Sequence, residues 1–154
     1  MEFARTVFMI VLGFWARVSH RTCIDQNESS IVRQIEAGQA EHGVPSPVLA
    51  VVAYLESHYG CDPRSRGSWG VPWRFQGNYS GTQGNITARS LATGFRRCGS
   101  WEGAISRFRC GSCTTCPNDG GYTPAEAITL VRRVYSVSRE PVPDHLRRSR
   151  FATR

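Results

Sequence analysis

Apolar positions crowd into two runs and then thin into helical stripes. The densest stretch outside the N-terminus is 46–60, SPVLAVVAYLESHYG. Ser46 suits a helix N-cap and Pro47 the first helical position, where a missing N–H costs nothing. Val48, Leu49, Val51, Val52 and Leu55 cover most of the circumference, and a helix apolar nearly all round belongs at the centre of its domain. Gly60 is the expected stop. Upstream, Ile31, Ile35 and Ala40 predict a helix over 31–42, capped by Ser29 or Ser30 and ended by Gly43, with the polar stretch 22–30 as a loop. Downstream, GSWGVPWRFQGNYSGTQGNIT (67–87) has no period, and short strands or a hairpin are expected there. Ile86, Leu91 and Phe95 predict a helix over 87–97. Ser100 caps another, with Trp101, Ala104, Ile105 and Phe108 on one face. Thr123 and Pro124 open a last helix in which Ile128, Val131 and Val134 repeat and Arg132 and Arg133 face out. The fold class predicted is mainly α, a helical domain with a small irregular or β loop region.

The other dense run, TVFMIVLGFWA (6–16), follows Arg5 and precedes Ala16 and Ser19, which is the layout of a secretory signal. It is short for a membrane span, and an uncleaved anchor is the alternative. The expected organisation is a signal peptide over 1–19, a domain over 20–140 and a basic, weakly ordered tail over 141–154, PVPDHLRRSRFATR after Glu140. Export would make the protein secreted or periplasmic, a monomer with no stable membrane insertion after signal removal. Six cysteines, Cys23, Cys61, Cys98, Cys110, Cys113 and Cys116, fit an oxidising compartment and are expected to form disulfides in a pairing the spacing does not select. CGSCTTC (110–116) also has a C-x-x-C-x-x-C metal spacing, but zinc modules show two separated pairs, so no metal is expected. The formal net charge is +7, and every Lys-or-Arg position is Arg. Such a surface suits an anionic polymer, cell wall or nucleic acid. Asn27, Asn78 and Asn85 stand in N-x-S/T sequons, which matter in a glycosylating host.

One carboxylate, Glu56, falls on the last turn of the apolar helix. Burial and the negative end of the helix dipole both oppose its charged form, as a general acid requires. The bland alternative is an exposed or arginine-paired glutamate. Trp69, Trp73, Phe75 and Tyr79 in the following loop fit either loop packing or the wall of a carbohydrate groove.

These segments resemble the lysozyme-like superfamily, most closely the lytic transglycosylases of the soluble (SLT) type. AVVAYLESHYGCDP (50–63) is similar to the family helix ending in Glu-Ser, followed by an aromatic and a proline. Gly67-Ser68-Trp69-Gly70-Val71 resembles the G-x-x-G-L loop. Ala104 to Gly111 resembles the A-L-A-A-Y-N-A-G segment, and Glu126 with VRRVY (131–135) resembles the closing helix. The resemblance spans about residues 31–137. It implies an α+β lysozyme-like fold with Glu56 as catalytic acid and no cofactor. It implies substrate contacts from Ser57, Ser68, Trp69, Gly70, Trp73, Gln76, Phe108 and Arg109. The chain departs from the pattern where the family Gln falls on Trp73 unless Gln76 serves, the family Tyr is Phe108, the family Asn is Arg109, and the last-helix Tyr falls on Leu130.

The implied substrate is the peptidoglycan glycan strand, cleaved without water. Glu56 would protonate the glycosidic oxygen and then take the proton of the sugar's hydroxymethyl group, which closes an anhydro ring. One carboxylate suffices, where glycoside hydrolysis ordinarily uses two. A hydrolytic, lysozyme-like outcome would need Asp62, Glu102 or Asp119 to hold a water. A non-catalytic wall-binding protein on the same scaffold is the second class. A nucleic-acid-binding protein is the third, which export argues against.

Overall fold

A computed structural model describes residues 2–64, 82–117 and 120–147. Seven helices carry them: α1 Glu2–Leu12, α2 Arg21–His42, α3 Ser46–Ser57, α4 Gln83–Cys98, α5 Trp101–Cys110, α6 Pro124–Ser138 and α7 Asp144–Arg147. The described residues are mainly helical and hold no strand. The expected β or irregular loop lies outside them.

α3 is the hub. Val48 through Ala53 are each 0% exposed, as a helix without a polar stripe must be. α1, α2 and α6 pack against it, while α4 and α5 form a helical pair attached through α4 to α2 and through α5 to α6. Ser46 and Pro47 do open α3, but Pro45 takes the cap position and Ser46 lies inside the helix. Its hydroxyl donates to Gln39 Oε1 at 2.6 Å, and its N–H donates to the same oxygen at 2.8 Å, closing the α2–α3 corner. Gly38 lets α2 touch two neighbours at once. A Cβ there would stand 2.8 Å from Leu49 Cδ1 and 3.0 Å from the Ala88 Cβ.

Several expectations need correction. α2 begins at Arg21, so residues 22–30 are helix and not loop. Ile24 is fully buried, Cys23 bonds Cys61, and Asn27 Nδ2 donates to the Tyr59 carbonyl at 3.0 Å. These tertiary ties override a weakly helical polar composition. α3 ends at Ser57, before Gly60: His58 (φ 48°) and Tyr59 (φ 56°) turn left-handed first, and Gly60 (φ 84°) follows. α4 starts earlier than residue 87, with Thr82 Oγ1 accepting the Asn85 N–H. Ser100 and Thr123 cap α5 and α6 as expected. Part of the tail is ordered: α7 buries Leu146, whose carbonyl accepts from Arg132 Nε at 2.8 Å.

α1 forms part of the core. Val7, Phe8, Val11 and Leu12 are buried, and the Phe8 ring stacks on Tyr59 with centroids 4.4 Å apart. The sequence feature read as a signal h-region is thus also an amphipathic core helix of 11 residues. At about 1.5 Å per residue it reaches roughly half of a ~30 Å hydrocarbon core. Among the described residues no helix is long and apolar enough to cross a membrane.

All six cysteines pair: Cys23 with Cys61, Cys98 with Cys113, and Cys110 with Cys116. The first ties the start of α2 to the turn after α3. The other two staple the α4–α5 pair to the loop that follows it.

Candidate active site around Glu56

Glu56 stands half-buried on the last turn of α3, where the fully apolar part of the helix stops. The chain then makes three consecutive left-handed residues. A non-glycine residue in that conformation costs roughly 1–2 kcal/mol, so His58 and Tyr59 must be held there. Four ties hold them. Ser57 Oγ accepts the Gly60 N–H at 2.8 Å, Asn27 takes the Tyr59 carbonyl, Cys61 is bonded to Cys23, and the Tyr59 ring is buried between Phe8 and Tyr54. Burial, and secondarily Tyr54 beside it, pushes the Tyr59 hydroxyl well above its ordinary pKa. The turn that fixes the direction of Glu56 is therefore strained and multiply pinned, an arrangement often met beside functional groups.

Two further residues converge on the carboxylate. Tyr122 donates its hydroxyl hydrogen to Glu56 Oε1. Arg109, on the last turn of α5, lies over the Tyr122 ring with its guanidinium carbon 4.6 Å from the centroid, and its Nη1 donates to the Tyr122 carbonyl. Burial, then the Glu56 charge and the bond donated to it, raises Tyr122 far above an ordinary phenol, with Arg109 pulling the other way. Tyr122 is consequently a neutral donor throughout the physiological range. It holds one carboxylate oxygen in place, and Arg109 holds Tyr122.

Of the residues expected at the site, the structure brings Glu56 and Arg109 together through Tyr122. Ser57 is buried, donates to the Ala53 carbonyl at 3.2 Å and accepts the Gly60 N–H, so it shapes the backbone of the turn. Phe108 packs, partly buried, against the core. Ser68, Trp69, Gly70, Trp73 and Gln76 lie outside the described residues, as does Asp119. Asp62 is gripped by Arg64, which donates from its backbone N–H at 2.9 Å and from Nε and Nη2 at 3.2 Å each. Those bonds lower the Asp62 pKa and keep it a carboxylate. Glu102 sits in the first turn of α5, seven residues or about 10 Å of helix from Arg109.

Tyr122 escaped the sequence reading. It follows Gly120 and Gly121 at the end of the cysteine loop, where aromatics carry no periodic signal. The available clue was its place immediately before a Thr-Pro helix start, a position that commonly packs inward.

The chain matches no known protein family, no curated protein and no solved structure.

Proposed function

We propose that the chain is an exported glycosidase of lysozyme-like architecture that keeps α1 as an uncleaved part of its core and cleaves the peptidoglycan glycan strand by lytic transglycosylation. Glu56 in its protonated form gives its proton to the glycosidic oxygen, and the bond from that oxygen to the anomeric carbon breaks. The resulting carboxylate takes the proton of the same sugar's hydroxymethyl group, whose oxygen closes on the anomeric carbon. Protons balance over the cycle, and neither water nor a cofactor is consumed. The observation that carries this reading is the placement of Glu56: one half-buried carboxylate on the last turn of the apolar helix, aimed by a pinned turn. The hydrolytic variant is less well supported, because Asp62 is engaged by Arg64 and Glu102 stands at the far end of α5.

A second reading, a monomeric wall-binding protein without turnover, is favoured by one feature. The Glu56–Tyr122–Arg109 chain also reads as a structural lock between α3, α5 and the cysteine loop. Nucleic acid is not an expected partner of an exported chain. Mass analysis of soluble fragments from purified sacculi separates the readings. Transglycosylation predicts anhydro-ended muropeptides, and hydrolysis predicts reducing ends. Co-sedimentation with the wall and no soluble fragments means binding alone.

A further inference from the structure

A general acid must carry its proton when the substrate meets it, and a hydrogen-bond donor already occupies this one. Tyr122 gives its hydroxyl hydrogen to Glu56 Oε1. Hydrogen bonds to a charged group are stronger than those to a neutral one, so the bond favours the carboxylate over the carboxylic acid. It works against burial and the helix dipole, which favour the acid. Tyr122 stays a neutral donor, because burial first and the Glu56 charge next raise its phenol far above the ordinary range.

The donor is clamped from behind. Arg109 lies over the Tyr122 ring, 4.6 Å from its centroid, and donates from Nη1 to the Tyr122 carbonyl. The clamp needs glycine at 121: a Cβ there would collide with Arg109 Nη2 and stand 3.1 Å from its Cζ. On the loop side Gly120 takes the left-handed backbone, φ 82°, and on the other side Thr123 caps α6. Tyr122 thus hangs between a glycine pivot and a fixed helix start. Glu56 and Tyr122 are both part-exposed. Of the other charged and titratable groups on the elements that meet here, Arg109 stands behind the ring, Asp62 is engaged by Arg64, His58 acts on Asp62, and Glu126 is exposed on α6.

We infer that Tyr122 is a latch on the acid: it keeps Glu56 ionised in the free protein, and the entering glycan strand displaces its hydroxyl so that Glu56 takes up a proton from solvent. One proton is bound to the carboxylate, and no covalent bond of Tyr122 breaks. Arg109 and Gly121 hold the latch closed between turnovers. Tyr122 is a positioning residue, since it touches the acid and not the reacting atoms of the sugar. The inference rests on the proposed role of Glu56 and adds to it a resting state in which the acid is switched off.

The test follows the Glu56 carboxyl carbon resonance against pH in the intact, glutamate-labelled protein, with the Glu56→Gln spectrum assigning the signal. Tyr122→Phe keeps the ring under Arg109 and removes the donor. One hydrogen bond to a charged group corresponds to about one to two pH units, so the variant's midpoint should lie higher by that interval. Gly121→Ala leaves every ionisable group in place and pushes the guanidinium aside; it should move the midpoint the same way by less, and it serves alone should Tyr122→Phe not fold. Muropeptide release then tests the displacement. At low wall concentration the rate reports the free protein, and the alkaline limb should stand one to two units higher in Tyr122→Phe. At saturating wall it reports the complex, in which the latch is open, and the two limbs should coincide. Equal Glu56 midpoints in parent and variants overturn the latch, and limbs that stay apart at saturating wall overturn its displacement. A raised midpoint in a parent–variant pair that releases nothing confirms the hold on Glu56 and overturns the proposed activity instead.

Discussion

The surroundings of α3 and the α4–α5 pair solve the same problem differently. α3 is enclosed by three helices, and its middle six residues have no surface at all. The α4–α5 pair is closely packed, since a Cβ on Gly94 would stand 3.0 Å from the Ala104 Cα, yet it is thin. It runs into a loop, 111–117, that buries no residue. Two of the three disulfides, Cys98–Cys113 and Cys110–Cys116, sit there. Where apolar burial is deep, the hydrophobic effect carries stability. Where the chain is too near the surface for that, cross-links restrict the unfolded state instead. Glu56 lies at the seam, on a hydrophobically held helix, while Tyr122, itself held by Arg109, reaches it from the cross-linked side.

The largest effect is expected from removing residues 2–16. Burying a large apolar side chain is worth about 1.5–3 kcal/mol, so Val7, Phe8, Val11 and Leu12 together rival the whole stability of a domain. A chain starting at Arg17 should lose cooperative thermal unfolding. A truncated chain that melts as sharply as the full one shows that α1 is dispensable, as a signal sequence must be, and the N-terminal mass of exported material then locates the cut. Next, Leu49→Ala in the deep core should cost about 2–5 kcal/mol in denaturant unfolding, because the cavity it leaves is walled by α2 and α3. The paired Cys98→Ser and Cys113→Ser change should cost about 3 kcal/mol, the loop entropy of a cross-link spanning 15 positions. Hydrogen exchange should sharpen this contrast. Losing the cross-link should speed exchange in α4 and α5 first and leave α3 amides slowest, and uniform acceleration would mean that the two regions do not differ.

How much of this was legible in the chain follows the same division. α3, α5 and α6 could be read directly, because apolar spacing and the Ser100 and Thr123 caps are local signals. The first half of α2 could not be read, since Asp25, Asn27, Ser29 and Ser30 argue for a loop, and only contacts with the distant Tyr59 and Cys61 make it helix. The end of α3 misled for a related reason. Gly60 is the residue that tolerates a left-handed turn, but His58 and Tyr59 are forced into it by bonds the sequence does not display. At the site, Glu56 was visible from its place on an apolar helix. Tyr122 was not, because its partner is 66 positions away. No local pattern reports such a pairing.

A smaller effect is expected at high pH, on both sides of the seam. Tyr59, Tyr122 and Tyr135 all have pKa values raised by burial above the ordinary 10, with Tyr135 pushed up to about 12. A raised folded-state pKa means the stabilisation is complete below pH 10 and is lost as pH climbs from there through the folded-state values. Tyrosinate absorbance from Tyr59 and Tyr122 should therefore rise only together with loss of helical circular dichroism. A rise centred at pH 10 in protein that keeps its helices would place these hydroxyls in water.

The central claim is that Glu56 is held for proton transfer and not merely for packing. The direct measurement is the rate of muropeptide release from sacculi by the parent, Glu56→Gln and Tyr122→Phe proteins, each with its melting temperature. A general acid contributes about 10²–10⁴-fold. The account predicts that Glu56→Gln loses a factor in that range at an unchanged melting temperature, while Tyr122→Phe retains part of the rate. Equal rates for the parent and Glu56→Gln, or no release by a folded parent, would contradict it.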